Sequence, residues 1–253
     1  MAQTTIKTAL VTGAAKRIGR TLALDLAAKG WSIAAHFHRS RAEADDLVAE
    51  IQRLGQRAVA LPADLSDAAS TATLVPAAIA ALGPLSLLVN NASLFENDNV
   101  QNATVAMWDS HMTTNLRAPF FLAQAFAAQL PAGTKGNIVN IIDQRVWKLN
   151  PFFASYTISK AALWTLTQTL AMGLAPHIRV NAIGPGPVLR NERQSEAAFE
   201  QQWQGMPLGR GSTPEECAAA LRFILDAPAM TGQMIALDGG QHLPWPSQPS
   251  LDG

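Results

Sequence analysis

Thr12-Gly13-Ala14-Ala15-Lys16-Arg17-Ile18-Gly19 follows the apolar run 8–11 without a gap and opens directly onto residues 18–29, whose apolar positions recur at helical spacing. Glycine at both ends of this turn permits a tight bend and close packing of helix on strand. The helix start then offers free N–H groups and a positive dipole to a pyrophosphate, which makes Gly13, Lys16, Arg17, Ile18 and Gly19 candidate cofactor ligands. An ordinary strand-to-helix turn also carries two glycines, so the reading depends on what surrounds it.

Working outward, short β-branched or leucine-rich runs at 8–11, 32–36, 58–61, 85–90, 137–142, 179–183 and 234–237 alternate with alanine-rich stretches of helical pattern at 18–29, 42–54, 71–82, 119–130, 156–174 and 214–225. This alternation predicts an α/β, doubly wound (Rossmann) seven-stranded parallel sheet with helices on both faces. Lys29-Gly30 and Leu54-Gly55 read as helix stops, and Thr213-Pro214-Glu215-Glu216 as a helix start. No proline- or serine-rich linker divides the chain, so one domain over 1–253 is expected, with a lid-like excursion at about 185–211 carrying a helix near 196–204. The tail 242–253 holds Pro244, Trp245, Pro246 and Pro249 and reads as extended.

The 253 residues are 48% hydrophobic and 15% charged, enough apolar content for a full core. Nineteen basic residues balance nineteen acidic ones, which excludes the electrostatic footprint of a nucleic-acid or anionic-membrane partner. The single Cys217 makes no internal disulfide, and the start shows no signal-peptide order, so the cytoplasm is expected. The most apolar window, 74–89, is broken by Pro76, Gly83 and Pro84, short of the roughly 20 residues of a membrane span.

The second strand ends in His36-Phe37-His38-Arg39-Ser40, with no carboxylate for a ribose 2′-hydroxyl. His38, Arg39 and Ser40, with Lys16 and Arg17 across the crevice, could instead hold a 2′-phosphate, which predicts NADPH rather than NADH. The plainer alternative for Arg39 is a solvated loop charge. His36 and His38 share a strand face, but no cysteine or carboxylate ligand lies nearby, and no metal is expected.

The one tyrosine of the chain is Tyr156, and Lys160 follows it four residues on, on the same helix face. An ammonium there stabilises phenolate and brings a pKa of about 10 toward the working pH, making Tyr156 a candidate proton donor. An amphipathic surface pair is the alternative.

These features sit in an ordered series: Asp64-Leu65 after the third strand, Asn90-Asn91-Ala92 after the fourth, Asn115 in a helix, Asn181-Ala182-Ile183-Gly184-Pro185-Gly186, and Thr231-Gly232 through Asp238-Gly239-Gly240. Over about 8–243 the chain resembles the short-chain dehydrogenase/reductase family. The resemblance implies that Asp64 and Leu65 flank the adenine and that Asn91 and Ala92 lie along the cofactor. It also implies that Pro185, Gly186 and Val188 border the nicotinamide, that Lys160 binds its ribose, and that Asn115 supports a proton relay through water. A homotetramer assembled through 119–130 and 156–174 is implied too, with Trp164 either at an interface or in the core.

Two departures from the family pattern narrow the reading. Arg17 replaces the middle glycine of the loop, and Asp143 stands thirteen residues before Tyr156, where the family places a catalytic serine. With Asn91-Ala92-Ser93-Leu94-Phe95, these resemble the pteridine reductase branch, which includes bacterial dihydromonapterin and dihydrofolate reductases. That branch implies Phe95 stacked on a pterin against the nicotinamide, Arg17 reaching pyrophosphate and pterin, and Ser93 lining the pocket beside cofactor and substrate.

Chemistry supports the branch independently. A serine donates a hydrogen bond to a substrate carbonyl, and an ionised carboxylate cannot. A pterin presents ring nitrogens and an amino group to which Asp143 can accept, and an aspartate of raised pKa can pass a proton toward Tyr156. The expected reaction is hydride transfer from NADPH to C6 of a 7,8-dihydropterin, with N5 protonated by Tyr156, and catalysis resting on Asp143, Tyr156, Lys160 and Asn115. Alternatives are a strand-end Asp143 paired with Arg145, packing of Phe95 in core or lid, reduction of a ketone, sugar or acyl thioester, and a non-catalytic NADPH-binding regulator. Trp147, 150–153 and 189–206 have no role in this picture.

Overall fold

A strand buried on both faces reads as an unbroken apolar run, and Thr8–Val11 (β1), buried at every position, is such a strand. The computed structural model describes residues 6–190 and 194–244, so the tail expected at 242–253 lies outside the described residues from 245 onward. β1 is followed by Ser32–Phe37 (β2), Ala58–Pro62 (β3), Leu87–Asn90 (β4), Gly136–Ile141 (β5), Ile178–Pro185 (β6) and Met234–Leu237 (β7). All pair in parallel, in the order β3-β2-β1-β4-β5-β6-β7. The order reverses between β1 and β4, and in such sheets ligands bind in the crevice beyond the strand ends at that point.

Helices Arg17–Ala28 (α1), Arg41–Arg53 (α2), Ala68–Leu82 (α3), Val105–Met112 (α4), Ala118–Gln129 (α5), Ala154–Gly173 (α6), Glu196–Gln204 (α7) and Pro214–Asp226 (α8) connect them. On one face Leu22, Leu26, Ile33, Val89, Leu221 and Ile224 form a core. On the other, Leu74, Leu85, Leu88, Leu122, Phe126 and Val180 form a second. Gly30 and Gly55 stop α1 and α2 at φ 88 and 81, and Thr213 with Glu216 makes a capping box on α8. α3 starts earlier than the expected 71, because Asp67 accepts from Ser70 N–H at 2.7 Å, and it continues through the exposed Pro76.

Residues 105–117 depart most from expectation. α4 passes through a π-helical turn, Thr113–Arg117, into α5. Its pattern is hard to read because Val105 and Trp108 are exposed while His111 is its buried residue.

Candidate active site

The turn after β1 is held by its neighbours' hydrogen bonds. Thr12 Oγ1 accepts from Asn91 N–H and Ala92 N–H at 2.9 and 3.0 Å, and Asn91 Nδ2 donates to the Thr12 and Gly13 carbonyls at 2.9 and 3.1 Å. Gly13 adopts φ +62, and a Cβ on Gly19 would stand 2.2 Å from the Gly13 carbonyl oxygen. Both glycines are therefore required for α1 to start so close to β1.

His36, buried on β2, has a role that the sequence reading missed. Its Nδ1 accepts the Gly13 N–H at 3.0 Å, and its Nε2 donates to the Ala63 carbonyl at 3.1 Å. Burial, the largest cause, pulls its pKa down to about 4. Both ring nitrogens are engaged, and among the described residues no cluster of metal-ligating side chains is present.

Of the residues singled out from the sequence, all but Asn115 and Val188 line one cleft of about 810 Å³ along the strand ends. Val188 instead packs into the core beneath, with Leu221 and Ile224, because its aliphatic side chain turns to the apolar layer.

Asn115 is fully buried in the π turn, and its side chain has a structural job. Its Oδ1 accepts from Leu94 N–H at 2.8 Å and Ser93 Oγ at 3.3 Å, and its Nδ2 donates to the Leu94 carbonyl and Ser159 Oγ, both at 3.0 Å. These four bonds use the whole capacity of an amide, so the side chain pins the 93–94 loop to α6.

The basic residues at the crevice differ in their partners within the protein. Lys16 Nζ pairs with Glu43 at 2.6 Å. Arg17, left-handed at φ 54, lines the cleft and donates to the Leu189 and Arg190 carbonyls at 2.8 and 2.9 Å, so its guanidinium clasps the excursion. Arg39, with Ser40 and His38, remains at the β2 end of the cleft. His38 Nε2 lies 3.7 Å from Asp64, whose carboxyl is held below its usual range chiefly by hydrogen bonds from Ser66.

At the other end, Tyr156 Oη donates to Asp143 Oδ2 at 3.0 Å, and Asp143 Oδ1 accepts from Arg145 N–H at 2.7 Å. Lys160 is buried, donates to the Ile141 carbonyl at 2.8 Å, and lies 5.9 Å from the Tyr156 ring centre. Burial raises the Asp143 pKa, and burial brings Lys160 down to about 8. Tyr156 goes the opposite way from the sequence expectation: burial first, then the Asp143 charge and hydrogen bond, push it well above 10. Burial, and after it Asp143, keeps the phenol protonated here.

Phe95 stacks on Phe153 with centroids 4.4 Å apart and meets the Tyr156 ring edge-on at 4.7 Å. Phe153, left-handed at φ 56, carries the Arg145 guanidinium over its ring at 5.0 Å. Arg145 thus reaches Asp143 through its backbone N–H, while its guanidinium caps an aromatic stack. Trp147 packs edge-on to Trp164 and His242, which places Trp164 in a small inner cluster.

The chemistry of the donor set fits a phosphorylated dinucleotide. The N-cap of α1 is Lys16, with no side-chain cap and no acid in the first turn, so its leading N–H groups suit a pyrophosphate. At the β2 end a guanidinium and a hydroxyl stand where an acid would repel a 2′-phosphate.

Residues 7–201 match the family model for short chain dehydrogenases, and the chain belongs to that family. It is similar to the solved FolM alternative dihydrofolate reductase 1 from Brucella suis in complex with NADP, at 47% identity and TM-score 0.92, over 97% of this chain and 98% of that one. A blue fluorescent protein from a metagenomic library, in complex with NADPH, is 33% identical at TM-score 0.86, over 93% and 98% of the two chains. The 3-oxoacyl-[acyl-carrier-protein] reductase of Staphylococcus aureus is 31% identical over 242 residues, covering 94% of this chain and 98% of the relative.

Proposed function

We propose that this protein is an NADPH-dependent reductase of dihydropterins in which Tyr156 is the proton donor and Asp143 its partner. The observation that carries the reading is the hydrogen bond from Tyr156 to Asp143, in the place where a carbonyl reductase needs a hydroxyl donor. Similarity to an alternative dihydrofolate reductase supports it.

NADPH, when bound, supplies a hydride. Gly13, Ile18 and Gly19, with the start of α1, take the pyrophosphate, while His38, Arg39 and Ser40 take the 2′-phosphate. Asp64 and Leu65 border the adenine. Asn91, Ala92, Ser93, Pro185 and Gly186 wall the remaining length, and Lys160 binds the ribose. Phe95, backed on one face by Phe153, offers its ring to a pterin. Asp143 accepts from the pterin's N–H groups and, when protonated, resupplies Tyr156 after N5 has taken the phenolic proton. Exposed Phe120 and Phe121 on α5 and Ile158 and Met172 on α6 support assembly as a homotetramer.

Reduction of a 3-oxoacyl thioester or another ketone is the second reading, favoured by similarity to the staphylococcal reductase. NADPH consumption with 7,8-dihydromonapterin, 7,8-dihydrobiopterin and 7,8-dihydrofolate, against ketones, sugars and 3-oxoacyl thioesters, separates the two. Turnover confined to the dihydropterins supports the proposal. Preference for a carbonyl compound overturns it, and tight NADPH binding without turnover on any substrate marks a regulator.

A further inference from the structure

Three buried polar residues outside the cleft lining meet beside Tyr156: Asp98 on the loop after β4, His111 on α4 and Ser155 on α6. α6 begins under an unusual handicap, because its N-cap residue is Phe153, whose side chain accepts no hydrogen bond. Asp98 serves instead from a distance. Its carbonyl accepts from Ala154 N–H at 3.2 Å, and its Oδ1 accepts from Ser155 N–H at 3.1 Å.

The remaining contacts fix where each proton sits. Ser155 has one hydroxyl hydrogen, and the acceptor-only Asp98 Oδ2 bonds that hydroxyl. His111 Nδ1, 2.7 Å from Ser155 Oγ, must therefore be the donor, and His111 Nε2 is then free to accept Glu96 N–H at 3.2 Å. The circuit runs Glu96 N–H to His111 to Ser155 to Asp98. Its two ends bracket the segment that follows Phe95, its middle is the residue next to Tyr156, and the imidazole also meets the Tyr156 ring at 6.0 Å. The residue types are those of a nucleophilic triad, but a hydroxyl bonded to the carboxylate and 1% exposed is no nucleophile.

We propose that His111, Ser155 and Asp98 are positioning residues that fasten the Phe95 loop to the start of α6 and so set where the Phe95 ring stands, against Tyr156, at the substrate end of the cleft. The substrate part of this proposal rests on the dihydropterin reading above; the fastening does not.

The test compares His111→Asn, which keeps a donor near Nδ1 and lacks the Nε2 acceptor, with His111→Gln, which keeps the acceptor. Readouts are hydrogen exchange of the 94–98 amides, KM and kcat for 7,8-dihydrobiopterin, and NADPH affinity by fluorescence. For His111→Asn, about tenfold faster exchange and about tenfold higher KM are expected, with kcat within about threefold and NADPH affinity unchanged. His111→Gln restores most of the loss. Should His111→Asn not fold, Ser155→Ala, which keeps both backbone caps on Asp98, is read in the same way. Unchanged exchange and KM overturn the fastening, as does an equal loss of KM, kcat and NADPH binding. Faster exchange in a variant whose parent turns over no dihydropterin leaves the fastening standing and overturns the substrate reading alone.

Discussion

Tyr156 gives its phenolic hydrogen bond to Asp143 at 3.0 Å, and burial together with this pairing holds the proton on the phenol. Tyr156→Phe is expected to keep NADPH affinity within about twofold while lowering kcat about a thousandfold. Asp143→Ser exchanges an acceptor for a donor and is expected to lower kcat/KM for dihydropterins about a hundredfold while raising turnover of simple ketones. Steady-state kinetics on both substrate classes check this, and ketone turnover that stays flat in Asp143→Ser would sink the argument. Because burial raises the Asp143 pKa, its proton is present at low pH and lost as pH rises, so wild-type turnover falls toward alkaline pH.

Arg39 stands at the β2 end of the cleft among His38 and Ser40, with no acid in place of the guanidinium. Arg39→Asp is expected to weaken NADPH binding roughly 10- to 100-fold, the worth of a charge-assisted bond, and to leave NADH binding equal or better. Fluorescence titration with both cofactors decides it.

His36 makes acid stability part of the phosphate loop. Its pKa falls from 6.5 in the unfolded chain to about 4 in the fold, so between those values the unfolded chain binds a proton that the native state refuses. Stability from this residue is complete above pH 6.5 and is lost as pH falls toward 4. Between pH 7.5 and 5 the expected loss is about 2 kcal/mol. Urea unfolding at the two pH values should show that slope in the wild type and a smaller one in His36→Asn. Equal slopes would assign the acid sensitivity elsewhere.

Arg17 combines a left-handed backbone with two bonds to the 189–190 carbonyls. Arg17→Gly relieves strain of about 1 kcal/mol and loses bonds of similar net worth, so Tm should stay within about 3 °C. Freed from its clasp, the excursion is expected to raise substrate KM about tenfold. A normal KM would show that Arg17 does not hold the cover.

The strands are legible in the sequence because a parallel sheet buries both faces, leaving runs such as Ala9, Leu10 and Val11 with no polar alternation. The Tyr156 and Lys160 pair is legible because its spacing is local. α4 is not, since its outward positions are apolar and its inward one is a histidine. Partnerships such as Arg17 with Leu189 or His36 with Gly13 join residues far apart in the chain, and no local pattern announces them. Asp143 illustrates the middle case: its place thirteen residues before Tyr156 marks it, but the burial that, ahead of its charge and hydrogen bond, pushes the phenol's pKa up is revealed only by the fold.

Having one tyrosine turns the proposed proton donor into its own isotope label. Protein grown on tyrosine enriched with carbon-13 at Cζ gives a single resonance, and that carbon shifts when the phenol ionises or when its neighbour at 3.0 Å takes up a proton. The proton inventory of the site can thus be followed by magnetic resonance in the unaltered enzyme, through a pH titration or cofactor addition, with no other phenol to subtract.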